Sequence, residues 1–140
     1  GALAMTWHFD HLAFNTHDGA PLQRLFGDLL GLQPGARPPF PFPGRWLYQG
    51  DQALVHVIER AEVSEPILSH IALRTDSDAA HVLERVQASG LPHQIAQVPE
   101  DGLWQIFVQL PGGLLLELDA PAAQPLPSTY HYQNNAGAPA

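Results

Sequence analysis

The sequence predicts an α+β protein built from two βαβββ modules. Two observations predict this class. The chain repeats itself at an offset of 59 residues, and each copy runs strand, helix, then further strands. His11-Leu12-Ala13-Phe14-Asn15-Thr16 lies over His70-Ile71-Ala72-Leu73-Arg74-Thr75, and the match continues without a gap to Gly31-Leu32 over Gly90-Leu91. Neither copy is long enough for a core of its own, so the two are expected to form a single domain over about residues 6–120, with modules near 7–60 and 66–119.

The first strand is expected at about 8–16, where alternation puts His11 and Ala13 on one face and Leu12 and Phe14 on the other. A helix follows at about 20–30. Leu22, Leu25, Phe26 and Leu29 make its apolar stripe, Pro21 suits its first turn and Gly31 its end. The stretch from Pro34 to Gly44 is too proline-rich for a helix or a central strand, so it reads as an ordered extended loop. Strands at 45–49 and 53–59 flank a turn at Gly50-Asp51. The second copy has a helix at about 78–89, striped by Ala79, Val82, Leu83 and Val86, with Asp76 or Asp78 to cap it and Gly90 to end it. Strands near 94–98, at 105–110 and at 114–119 complete it, the last two joined by Pro111-Gly112-Gly113. Residues 1–5 read as a vector-derived scar ahead of a native Met5. Residues 121–140 read as a Pro/Ala-rich tail in which Tyr130-His131-Tyr132 packs locally.

Composition narrows the function. Fourteen acidic against six basic residues give a formal charge of −8, which disfavours phosphate backbones and anionic lipid surfaces. No apolar run approaches a membrane span, and no secretory signal is visible. The absence of cysteine removes disulfides, thiolate ligands and thiol nucleophiles, and fits a cytoplasmic protein. Eight histidines are the unusual feature. His11 and His70 hold equivalent places on the two first strands. Leu54-Val55-His56-Val57 aligns with Leu115-Leu116-Glu117-Leu118, which makes His56 and Glu117 equivalent as well. A polar side chain inside such an apolar run costs roughly 1–3 kcal/mol if it finds no partner. Four of them sharing one cation would satisfy one another, and three imidazoles with a carboxylate suit zinc, nickel, iron, manganese or copper. His8 faces the other side of its strand. His17, His81 and His93 read as turn, helix-surface and loop residues.

Four segments together resemble the vicinal-oxygen-chelate superfamily, which includes glyoxalase I, methylmalonyl-CoA epimerase, bleomycin- and fosfomycin-resistance proteins and extradiol dioxygenases. They are Phe9-Asp10-His11-Leu12-Ala13-Phe14, Phe26-Gly27-Asp28-Leu29-Leu30-Gly31-Leu32, Ser69-His70-Ile71-Ala72-Leu73, and Phe107 through Gly113 to Glu117-Leu118. The resemblance covers about residues 8–119 and implies a glyoxalase-like fold with a cupped mixed sheet. It implies a divalent ion (Zn, Ni, Fe or Mn) on His11, His70 and Glu117, with His56 where glyoxalase I has a glutamate and the epimerase a glutamine. The chain departs from the family at Leu110 and Gly112, which replace two turn aspartates.

The activity this implies is that of a lyase or isomerase acting on a small oxygenated substrate chelated to the metal, with Glu117 dissociating to act as base. Arg37, Trp46, Tyr48, Arg74 and Trp104 are the candidate substrate contacts. One alternative is an iron-dependent dioxygenase, which a fourth ligand at His56 would obstruct. The other is a metal-free, antibiotic-binding resistance protein. The partners implied are a small-molecule substrate and a second copy of the chain in a homodimer.

Overall fold

The structure is a computed structural model that describes residues 5–98 and 102–126. The expected scar, apart from Met5, and residues 127–140 with the Tyr130-His131-Tyr132 cluster lie outside the described residues. The elements are β1 His8–Thr16, α1 Ala20–Leu22 continued by a π-helical segment Gln23–Leu29, β2 Gln33–Gly35, β3 Gly44–Gln49, β4 Gln52–Glu59, β5 Ile67–Arg74, α2 Ala79–Ser89, β6 His93–Gln97, β7 Trp104–Gln109 and β8 Leu115–Ala120. The class is α+β, with an eight-stranded mixed sheet in the order β2-β3-β4-β1-β5-β8-β7-β6. The chain divides into two compact units. One is Asp10–Ile71, and the other joins residues 5–9 to the described residues from 72 onward. Among the described residues, no helix is long and apolar enough to cross a membrane.

In the unit Asp10–Ile71, β4 runs parallel to β1, with Ala13 opposite His56, and antiparallel to β3, with Trp46 opposite His56. Side chains alternate across a strand. Val55, Val57 and Leu47 pack with Leu22, Leu32, Phe14 and Phe26, so the helix takes that face. His11, Ala13 and His56 have the opposite parity and are also buried. The start of the proline-rich stretch forms a short edge strand rather than loop. Pro34 is tolerated there because Gln33–Gly35 pairs only with β3. Gly44, at the start of β3, runs so close to the Val57 carbonyl that any Cβ would collide with it.

The first helix departs from its expected face. Leu22 is buried, but Leu25 is 44% and Leu29 72% exposed. The segment is π-helical, with Leu30 N–H donating to Leu25 O five residues back. Wider turns keep residues four apart, Leu22 and Phe26, on one side. They rotate a residue seven positions on, Leu29, away from it.

The second unit follows expectation more closely. Ala79, Val82, Leu83 and Val86 of α2 pack on Ile95, Trp104, Ile106, Val108, Leu118 and Ala120. Gly90 ends the helix in the left-handed region at φ 74°, which glycine enters without strain. Asp78 holds the N-cap position, yet its side chain makes no capping bond. The opposite parity carries Gln105, Phe107, Glu117 and Asp119, all buried, with Phe107 opposite Glu117 and Gln105 opposite Asp119.

Leu22→Ala is expected to destabilise the protein by about 2–5 kcal/mol and Leu29→Ala by less than about 0.5 kcal/mol, measured by chemical denaturation. Equal losses would mean that the segment is an ordinary α-helix with both leucines in the core.

Candidate metal centre

In the unit Asp10–Ile71, three histidines share the face left free by the helix. His11 on β1 and His70 on β5 meet edge to face, with ring centroids 5.5 Å apart and planes at 77°. Crossed rings at that separation can direct one nitrogen each to a common ion. The residue before each histidine holds its other nitrogen. His11 Nδ1–H donates to Asp10 Oδ2 at 2.6 Å, and Ser69 Oγ lies 3.0 Å from His70 Nδ1. A carboxylate can only accept, so Asp10 fixes the His11 tautomer with the lone pair on Nε2. The Ser69 hydroxyl can donate or accept, and when it accepts from Nδ1–H, His70 presents the same nitrogen. This is the arrangement by which neighbouring groups orient metal-ligating imidazoles. Sequence reasoning missed Asp10 and Ser69. The signal available was a hydrogen-bonding residue immediately before the histidine in both copies.

His56 is placed differently from the ligand role expected of it. Its ring lies flat on His11, with centroids 3.5 Å apart and planes 15° apart. An ion lies in the plane of the imidazole that binds it, at roughly 2.1 Å. An ion in the His11 plane would therefore sit well off the His56 plane, and in this geometry the two rings do not share a cation. His56 Nε2–H donates to Ala53 O at 3.1 Å, which leaves the lone pair on Nδ1. That atom is buried and has no hydrogen-bond partner among the described residues.

Burial sets the protonation of these rings. It pushes His70 down to about 3, with the neighbouring His11 adding to the effect. It drives His56 far below the ordinary histidine range, and His11 and His70 lower it further. Both rings are therefore neutral at pH 7, the form that binds cations.

In the second unit, Glu117 is fully buried on β8, on the face away from α2. The other expected contacts are scattered. Trp104 is a correction: it is 2% exposed and belongs to the apolar core beneath α2. Its parity on β7 matches Ile106 and Val108, whereas Glu117 pairs with Phe107, so its ring lies on the wrong face for a cleft. Arg74 shares the parity of His70 but is exposed at the end of β5. Arg37 donates to the Phe42 carbonyl and lies over the rings of Phe40 and Phe42. The Tyr48 hydroxyl donates to the Ala36 carbonyl. Both residues brace the proline-rich loop. Trp46 stacks on His56, with centroids 3.9 Å apart.

No family model matches the sequence, and no curated protein matches it. Solved structures do. The chain is similar to the Mn(II)-bound glyoxalase from Novosphingobium aromaticivorans, at 22% identity, covering 86% of this chain and 42% of that one with a TM-score of 0.59. It is similar to methylmalonyl-CoA epimerase from Mycobacterium tuberculosis, at 19% identity, covering 81% and 87% with a TM-score of 0.59. It is also similar to 2,2',3-trihydroxybiphenyl 1,2-dioxygenase from Sphingomonas wittichii, at 21% identity, covering 81% and 42% with a TM-score of 0.63. The chain spans less than half the length of that glyoxalase and that dioxygenase. These neighbours are vicinal-oxygen-chelate proteins, and the chain has the fold they share.

The neutral rings predict an acid-sensitive metal-free protein. Their folded pKa values lie below the unfolded value of 6.5, so stability is full above pH 6.5 and falls as pH drops toward 3. One unit below 6.5 the loss is about 1.4 kcal/mol per ring. Denaturation of metal-free protein at pH 7.5 and 5.5 checks this, and His70→Phe is expected to flatten the dependence. Asp10→Asn is expected to weaken cation binding by about 10- to 100-fold, measured by chelator competition.

Proposed function

We propose that the chain is a divalent-metal enzyme of the vicinal-oxygen-chelate superfamily in which His11, His70 and Glu117 hold the ion. The observation that carries this reading is the burial of all three. They are at most 2% exposed, they are side chains of metal-ligand type, and each lies on the strand face away from the helix of its own unit. A buried carboxylate has a severe desolvation cost that a cation offsets. When bound, a divalent cation supplies Lewis acidity toward neighbouring oxygens of a small substrate.

The chain's own residues supply the rest. Asp10 keeps His11 in the ligating tautomer, and the Ser69 hydroxyl, able to donate or accept, gives His70 Nδ1 a partner. His56 is buried, neutral and stacked flat on His11, so it supports the His11 ring and is too weak a base to take a proton from carbon. Glu117 keeps the base role that the sequence gives it, dissociating from the ion to take the proton. Proton removal beside a carbonyl is the chemistry of a lyase or isomerase. A small-molecule substrate and a homodimer remain part of the proposal.

One observation favours a second reading. With His56 stacked beside His11, the ligand set is two histidines and one carboxylate. That set suits iron and leaves room for both a chelating substrate and dioxygen. A ring- or diketone-cleaving dioxygenase is therefore less obstructed than the sequence implies.

Anaerobic loading with Fe(II), Mn(II), Ni(II) or Zn(II), followed by assays with catechols, diketones and α-hydroxy carbonyl compounds, separates the readings. Metal-dependent isomerisation or lysis without oxygen supports the first, and oxygen uptake confined to the Fe(II) protein supports the second. His56→Phe is expected to keep metal affinity within about threefold, because a flat ring still covers His11. A loss of about tenfold or more in that variant would make His56 a ligand.

A further inference from the structure

His11 is gripped from two directions within its own unit. Its edge is held by Asp10 and its face by His56. His56 is itself pressed between two rings: His11 at 3.5 Å with planes 15° apart, and Trp46 at 3.9 Å with planes 12° apart. Its bond to the Ala53 carbonyl stops it spinning in its own plane. Beyond Trp46, aromatic contacts continue into the proline-rich loop, with Phe40 6.2 Å from Trp46 and tilted 49° to it, and Phe42 stacked on Phe40 at 5.1 Å. Arg37 lies over both phenylalanine rings.

We propose that Trp46, backed by Phe40 and Phe42, is a positioning residue that sets the ring plane of His11 through His56. Affinity for a cation at His11 then depends on side chains that never touch the ion. This rests on the reading of His11 as a ligand. An imidazole binds a cation only in its own plane, so rotation about its outer side-chain bond swings the lone pair away. One hydrogen bond at Nδ1 leaves the ring free to pivot about that contact. A flat surface against its face removes the remaining freedom. The register supports a built arrangement, because Trp46 stands directly opposite His56 on the neighbouring strand. The second copy repeats the pattern, with Phe107 directly opposite Glu117. In both halves a buried or half-buried aromatic ring flanks the polar residue of the last strand. His56 occupies one face of Trp46, which gives this residue a supporting role besides the substrate contact expected of it.

The test compares Zn(II) affinity, by competition with a chromophoric chelator, in wild type, Trp46→Ala, Trp46→Phe and Phe40→Ala, with Trp7→Leu as a control. Trp7 packs against the core of the other unit and lies outside the stack. Trp46→Ala is expected to bind Zn(II) about tenfold or more weakly, Phe40→Ala to fall between it and wild type, and Trp46→Phe to recover most of the loss. Trp7→Leu is expected to lower the melting temperature and leave affinity unchanged. Imidazole NMR of the metal-free proteins gives a second readout, with the His11 and His56 ring signals broadened or shifted in Trp46→Ala only. Unchanged affinity in Trp46→Ala, or an equal loss in Trp7→Leu, would overturn the proposal. If wild type binds no Zn(II), the metal reading fails instead, and unchanged ring signals in Trp46→Ala then overturn the stack on their own.

Discussion

A helix laid on one face of a group of strands claims every second side chain for its apolar core. In Asp10–Ile71 that face holds Leu47, Val55 and Val57, and in the other unit Ile106, Val108 and Leu118. Residues of the other parity are forced onto the remaining face, and here they are His11, His56, Glu117 and Asp119, all buried. A buried imidazole escapes much of the desolvation cost by staying neutral, as the lowered values of His56 and His70 show. A buried carboxylate has fewer such options. A cation is a partner that uses neutral imidazoles and an ionised carboxylate at the same time.

Around the histidines, orientation comes from chain neighbours and from strand register. Asp10 and Ser69 are the sequence neighbours of the rings they contact, and the Asp10 carboxylate sets the His11 tautomer. The stacking of His56 on His11 comes from strand register, because β1 and β3 flank β4 and bring three aromatic rings side by side. The proline-rich loop finishes the arrangement. Arg37 and Tyr48 spend their polar groups on its carbonyls, and this keeps Phe40 and Phe42 packed behind Trp46.

Much of this was legible in the sequence for a physical reason. A duplicated chain marks equivalent positions twice, so His11 with His70, and His56 with Glu117, stood out from the other histidines. Strand alternation and the stripe of α2 were readable because period and burial agree there. The first helix was not, because Leu22, Leu25 and Leu29 fit an α-helical stripe and nothing in their spacing announces π-type bonding. Trp104 was misplaced because composition suggests a cleft aromatic, whereas its parity, fixed by pairing with Ala120, turns it into the core. His56 was singled out by its position, but its ring orientation depends on Trp46, a cross-strand relation that spacing along the chain does not reveal.

Elemental analysis of protein purified without added metal, beside His70→Ala and Glu117→Ala prepared identically, tests the central claim most directly. The account predicts about one equivalent of a single divalent metal in the parent protein and a loss of most of it in each variant, with folding retained by circular dichroism. A parent protein that holds no metal, or variants that hold as much as it does, would contradict the account.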